Sequence, residues 1–486
     1  MWNGATLVPA TAGGKAPRGA LPRAARPCMA RNMSTSSGYR AHLRATLVLG
    51  LPLIGSNLAQ MALHVTDTVM MGWYSVPGLA AVVLGASSFF ILFILGSGFA
   101  IGVMPMVASA AAARDMAEGR RVTRMGIWLS LLFAVAVLPV FWFSGPIFRA
   151  LGQNPDIAAL AQQFMRIAGF GMAPALVVMV LKSFVAALER TQVVLWATVA
   201  AVFLNIGLDW MLIFGNAGLP ELGVRGSAIA TVCTQVLTMA VIGLYAARQP
   251  ELRRFQLFVR FWRHDWAAFA RVFRLGWPIG LTGLAEGGLF NASALMMGWI
   301  GTVELAAHGI ALELAALTFM VHLGLSQAAT VRIGRAHERD PEGLRRGAQM
   351  AIVLSLAFAL VAVTLFVSLP RPLISLWVRP GDPLAPRILD FGARLLVVAA
   401  LFQLFDAMQV MALGLLRGVQ DTRVPMIIAA LSYWVIGIPS SYVLAFPLGL
   451  GGVGLWLGLV IGLACAAVLM MARFWRGLAK GAQAGA

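Results

Sequence analysis

The segments LGLPLIG (49–55) and MMGWYSVPGLAA (70–81) recur as LGWPIGL (275–281) and MMGWIGTVELAA (296–307), both at one offset of 226 residues and without a gap. Two pairs aligned at a single spacing mark an internal repeat. The repeated stretches are apolar, and further apolar stretches recur from Leu47 to Met471. Each reaches the roughly 18 residues that a helix needs to cross about 30 Å of hydrocarbon. They place twelve helices, near 44–72, 79–113, 125–146, 158–188, 192–214, 226–247, 270–300, 304–336, 347–370, 387–418, 423–446 and 451–475. Six helices per repeat is an even number, so both halves insert the same way up. The expected fold is therefore an all-α integral membrane protein: two six-helix bundles related by a pseudo-two-fold axis along the membrane normal. The expected divisions are a basic, disordered tail over 1–40, bundles over 41–250 and 251–475, and a short cytoplasmic tail over 476–486.

Composition agrees with that fold. The 486 residues are 60% hydrophobic and 12% charged, about half the charge of a soluble protein. A net charge of +18 would suit nucleic acid, but Lys and Arg also collect in the cytoplasmic loops of membrane proteins. No nucleic-acid partner is expected; membrane lipid is. Cys28, Cys233 and Cys465 show no pairing or metal spacing, so neither a disulfide framework nor a zinc site is implied. The first 40 residues also suit a basic transit segment, and Met33 is an alternative start directly before the first helix. The first apolar run is too long, and too interrupted by Pro52, for a cleavable signal.

Of the 37 Lys and Arg, 29 fall in the two termini and the alternate loops that share their side. Five fall in the opposite loops (Arg149, Arg225, Arg371, Arg379 and Arg387), and Arg166, Lys182 and Arg394 lie inside helices. The asymmetry places both termini in the cytoplasm, and an even number of crossings requires them to share a side.

Five carboxylates sit well inside the expected helices: Asp67, Asp209, Glu286, Glu313 and Asp406. Each costs about 2.5–3.5 kcal/mol to insert, so each needs a polar cavity or a partner. At about 1.5 Å per residue, Glu286 lies roughly 18 Å from the cytoplasmic edge and Asp406 roughly 17 Å. Equal depth on helices seven and ten suggests one shared site, wetted by Gln403 and Gln409. Phe402 is one turn from Asp406 on the same face. Asn205 and Asp209 share a face four residues apart, and with Asp67 they suggest a second, outer cavity; Glu313 is also in the outer half. His64, His308 and His322 read as hydrogen-bonded packing residues. Pro52 and Pro278 occupy equivalent places and bend their helices; matched interruptions in two repeats point to a substrate pathway. The halves differ in charge, since Asp67 aligns with Ser293 and Glu286 with Gln60. A shared scaffold with unlike chemistry suits a transporter better than a symmetric channel. A carboxylate taken out of water binds a proton more readily, or stays charged beside a cation, and competition between the two gives antiport.

Over residues 41 to 475 the chain resembles the multidrug and toxic compound extrusion (MATE) family, in its NorM-like branch. The resemblance rests on LPLIGSNLAQMALHVTDTVMMG (51–72), GLAEGGLFNASALMMG (283–298), AAHGIAL (306–312) and LFDAMQVMALGLLRGVQDTRVPM (404–426). It implies a two-bundle transporter exporting cationic drugs in exchange for protons or sodium, with Asp67, Asn205, Glu286 and Asp406 at positions such transporters use. Two departures stand out. Sodium-coupled members carry a Tyr one turn before the helix-ten acid, where this chain has Phe402; that favours protons. Glu313 stands where relatives more often have a neutral polar residue. The expectation is an antiporter of organic cations in the bacterial cytoplasmic membrane, working by alternating access as a monomer, with H+ or Na+ as coupling ion and no other cofactor or metal. The rival is a flippase for lipid-linked precursors, but an anionic lipid carrier would favour a cationic cavity, and acids outnumber cations inside the helices. No nucleophile–base pair marks an enzyme.

Overall fold

The computed structural model describes residues 38–337, 339–378 and 383–484, with side chains described to residue 479. Residues 1–37, including Cys28 and most of the expected tail, lie outside the described residues, as do Arg379 and residues 485–486. Twelve long helices follow one another: α1 Tyr39–Tyr74, α2 Val76–Ala112, α3 Met116–Trp142, α4 Pro155–Ala187, α5 Thr191–Phe214, α6 Val224–Arg248, α7 Trp266–Ile300, α8 Thr302–Ala336, α9 Pro341–Ser368, α10 Ala385–Gly418, α11 Arg423–Ala445 and α12 Gly451–Ala484. No strand occurs among the described residues. Eleven of the twelve are apolar enough to cross a membrane by composition alone. The twelfth, α7, is as long as the others, but Pro278, Glu286, Asn291 and several glycines dilute it.

Several helices begin earlier than the apolar runs, because capped polar turns precede the hydrocarbon-spanning part. Asp115 accepts from the Glu118 amide at 2.9 Å and starts α3 nine residues ahead of the expected position. Asp265 and Asp340 cap α7 and α9 in the same way. An N-cap carboxylate satisfies amides that no helical carbonyl can reach. At the other end α12 continues past 475 to Ala484, where the Arg, Leu, Ala, Lys and Gln residues, good helix formers, outnumber Gly477 and Gly481.

The first helix of each half packs against the second helix of the other: α1 on α8, and α7 on α2. Exchanging the halves turns one contact into the other, which is what a pseudo-two-fold requires. The match extends to single residues. A Cβ on Gly98 of α2 would collide with the Gly276 carbonyl and the backbone of Gly280 on α7. A Cβ on Gly324 of α8 would fall 2.7 Å from the Ile54 nitrogen on α1. Gly324 is Gly98 shifted by 226, and Gly280 is Ile54 shifted by 226. Small residues let helix backbones meet closely where the hydrophobic effect cannot drive association. Pro52 and Pro278 lie two residues before Ile54 and Gly280, so the helix bends fall at these crossings.

On the arginine-rich side the halves are further joined by Arg271–Glu118 at 2.5 Å, Arg335–Glu189 at 2.9 Å and Arg121–Asp265 at 3.5 Å. Arg332 of α8 bonds to the His42 carbonyl and to Thr46 Oγ1 on α1. There, too, Val272 and Leu275 of α7 and Ala328 and Val331 of α8 enter the hydrophobic core of the first half.

Candidate functional site

Two buried polar clusters form inside the helices, one in each half. In the first, Asn205 and Asp209 lie one turn apart on α5 and meet Asp67 of α1. The Asn205 amide nitrogen donates to Asp67 Oδ1 at 2.8 Å and to Asp209 Oδ2 at 2.6 Å. Thr231 of α6 donates to Asp67 Oδ2 at 3.5 Å. All three members predicted from the sequence are therefore together. Thr231 was not legible, because one threonine among several in α6 carries no signal of direction. Asn205 Oδ1 and Asp209 Oδ1 are buried without a partner.

The second cluster joins α7, α10 and α11. Asp406 and Gln403 are buried on α10, and Glu286 on α7 lies near enough for its charge to act on Asp406. Gln409 donates to the Tyr433 hydroxyl at 2.7 Å. Tyr433 is fully buried within a π-helical stretch, Leu431–Gly437, of α11. Such stretches widen the helix by one residue per turn and are frequent at functional sites. Glu286, Asp406 and Arg417 lie within electrostatic reach of the Tyr433 side chain. Gln403 Nε2 and Oε1, Asp406 Oδ1 and Gln409 Oε1 have no partner. Buried polar atoms are rarely left unbonded, so each asks for an explanation.

The sequence reading differs from this arrangement in three respects. Phe402 carries no oxygen, but Tyr433 brings a phenol into the same cluster from another helix, where Gln409 bonds to it. Phe402 itself packs edge-on to Phe290 and Trp456, at 6.1 and 5.4 Å between ring centres. Arg417, counted with a cytoplasmic loop, lies at the end of α10 within electrostatic reach of Glu286. Glu313 is half-buried on α8 and joins neither cluster. Among the histidines, His322 bonds to Ser355 at 2.9 Å, while His308 accepts from Trp456 Nε1 at 3.0 Å and meets Ser293 at 3.4 Å. Ser293 is the repeat counterpart of Asp67, so the place of the first half's acid is taken in the second by a neutral Ser–His–Trp contact. His64 is exposed, its ring 6.3 Å from Phe90.

Two homologous helical halves crossing in the membrane, each with buried acids, define the class: a polytopic transporter rather than an enzyme. The MatE family model matches residues 52–211 and again 278–443. The two matches begin 226 residues apart (278 − 52), at Pro52 and Pro278, which is the offset of the sequence repeat. The chain is 47% identical over 443 residues to a probable multidrug resistance protein NorM of Rhizobium meliloti (strain 1021), covering 91% of this chain and 95% of that one. It is 44% identical over 442 residues to a protein of the same description from Agrobacterium fabrum, with the same coverage. Among solved structures, the eukaryotic MATE transporter AtDTX14 superposes with a TM-score of 0.81 at 20% identity, over 92% of this chain and 99% of that one. A MOP superfamily transporter from Pyrococcus furiosus gives 0.80 at 22% identity, over 90% and 96%. These likenesses establish the fold. The chain belongs to the MatE family, the multidrug and toxic compound extrusion transporters, in its NorM-like branch.

Proposed function

We propose that this transporter is a secondary antiporter that exports small organic cations in exchange for protons. It works by alternating access across the bacterial cytoplasmic membrane, as a monomer with both termini inside. The observation that carries the reading is the concentration of unpartnered buried oxygens at the two acid clusters: Asp209 Oδ1 and Asn205 Oδ1 in one half, Asp406 Oδ1 and Gln409 Oε1 in the other. Like charges this close, out of water, are stabilised by one proton or one cation between them. That is the competition antiport needs.

The choice of protons rests on donors. Asn205 turns its N–H, not its oxygen, toward both carboxylates, and Thr231 donates its hydroxyl. A hard cation selects several oxygen acceptors, and these donors already occupy three of the four carboxylate oxygens of Asp67 and Asp209, leaving Asp209 Oδ1 for a single proton. A lipid-precursor flippase is disfavoured because both clusters are acidic. The test is efflux of a fluorescent cation from inverted vesicles with pH and voltage clamped by ionophores. A proton gradient should drive it and a sodium gradient should not. Robust sodium-driven efflux, abolished by Asp406→Asn, would replace the proton with sodium.

A further inference from the structure

The segment LRRFQLFVRFWRH (252–264) joins the two halves and lies between the two stretches that the family model matches. It carries four arginines, three phenylalanines, one tryptophan and no acid. Its inner side is anchored. Leu252, Phe255 and Leu257 are buried in the core of the first half, and Phe255 lies edge-on to Phe184 at 5.4 Å between ring centres. The buried Arg124 of α3 donates to the carbonyls of Gln256 at 2.9 Å, Leu257 at 2.8 Å and Val259. Trp128 Nε1 donates to the Phe261 carbonyl at 3.2 Å, and the two rings stack at 5.7 Å. Trp128 is four residues past Arg124, the last charge of α3, so the segment turns back to the level at which α3 becomes apolar. Phe258 does the same on α6: a Cβ on Gly243 would lie 3.8 Å from its ring, five residues before the end of α6 at Arg248, or about 7.5 Å along the axis. Non-helical backbone is tolerated at membrane depth only where protein or water satisfies its polar groups, and Arg124 and Trp128 do so for four carbonyls.

The outer side has little protein cover. Trp262 is 72% exposed and Trp266, at the start of α7, is 71% exposed; Phe258 and Val259 are exposed as well. Arg253, Arg254, Arg260 and Arg263 are exposed, and among the described residues none of the four forms an ion pair. The acids at the two ends of the segment are already taken, Glu251 by Arg190 and Asp265 by Arg121. Exposed aromatic patches are a liability in water, but tryptophan is favoured where headgroups meet acyl chains. The planar fork of arginine matches a phosphate. The second half supplies a contrast. The tetrapeptide RFWR of 260–263 recurs at 473–476, on α12. There Arg473 pairs with Asp421 at 2.6 Å and Phe474 is buried, so that copy is used inside the protein.

We propose that the segment between the halves is a docking site for one anionic phospholipid, with Phe258 and Trp262 against its acyl chains and Arg260 and Arg263 on its phosphate. The unbalanced positive charge, the exposed aromatic rings and the position beside the apolar parts of α3 and α6 select that occupant. The binding is independent of the antiport reading, because no ion gradient enters its measurement. Full-length protein in detergent is titrated with phosphatidylglycerol or with phosphatidylcholine of the same chains, and bound lipid is counted by native mass spectrometry. The wild type should bind phosphatidylglycerol the more tightly. The double variant Arg260→Gln/Arg263→Gln should weaken its tightest site about thirtyfold, the scale of two basic residues at a membrane surface, and leave phosphatidylcholine unchanged. The double variant Arg40→Gln/Arg345→Gln removes the same charge from exposed positions on the same side and should leave both lipids unchanged. Unchanged phosphatidylcholine binding and melting midpoint report that the variants are folded. Equal affinity for the two lipids in the wild type, or equal weakening by the two double variants, would overturn the site. So would displacement of the lipid by an equal concentration of glycerol 3-phosphate, which would make it a free-phosphate site, or a dimer that Arg260→Gln/Arg263→Gln dissociates, which would give the surface to a second copy of the chain.

Discussion

Replacing Gly98 by alanine tests whether the two crossings hold the halves together. A Cβ at 98 would sit 2.8 Å from Gly280 Cα, and ordinary contact begins at 3.4 Å, so α2 and α7 must part by at least 0.6 Å (3.4 − 2.8). At the symmetry-related crossing, alanine at 324 would sit 2.7 Å from the Ile54 nitrogen, requiring 0.7 Å (3.4 − 2.7). Both obstacles are backbone, which has no rotamer to yield. Overpacking of this kind costs about 1–3 kcal/mol, offset by about 1 kcal/mol from the better helix propensity of alanine. Gly309 is the control: it lies in the same helix as Gly324, with nothing within 4 Å of its Cβ position. Thermal unfolding in detergent and efflux in vesicles are the assays. Gly98→Ala and Gly324→Ala should lower the midpoint by similar amounts and slow efflux, and Gly309→Ala should do neither. Wild-type melting and transport for both interface variants would refute the close crossing. A severe effect at one site with none at the other would refute its two-fold symmetry.

Tyr433→Phe removes the hydroxyl that Gln409 reaches at 2.7 Å and leaves a buried amide unbonded, at a cost of about 1–3 kcal/mol. Efflux should fall about tenfold at unchanged expression, and efflux equal to wild type would remove Tyr433 from the site. The 29-to-5 division of Lys and Arg predicts a cytoplasmic C-terminus. A C-terminal green fluorescent fusion should therefore glow and a phosphatase fusion stay silent; the reverse pattern would invert the topology.

Some properties of this protein were written along the chain. The number of crossings, the repeat and the division of Lys and Arg are each carried by residues close together in sequence, and hydrocarbon thickness fixes how long an apolar run must be. The Asn205–Asp209 pair was legible for the same reason, since four residues along any helix share a face. What the tertiary structure decided was which faces meet. Asp67 finds Asn205 138 residues away, Gln409 finds Tyr433 on the next helix, and Lys182 finds Gln60 across 122 residues. In a soluble helix an apolar stripe announces the buried face. Here lipid and core are equally apolar, so a helix can turn any side inward at little cost. Only the packing of its neighbours, through the glycine crossings and the π-helical turn of α11, determines that Tyr433 faces the acids and Phe402 packs among aromatics.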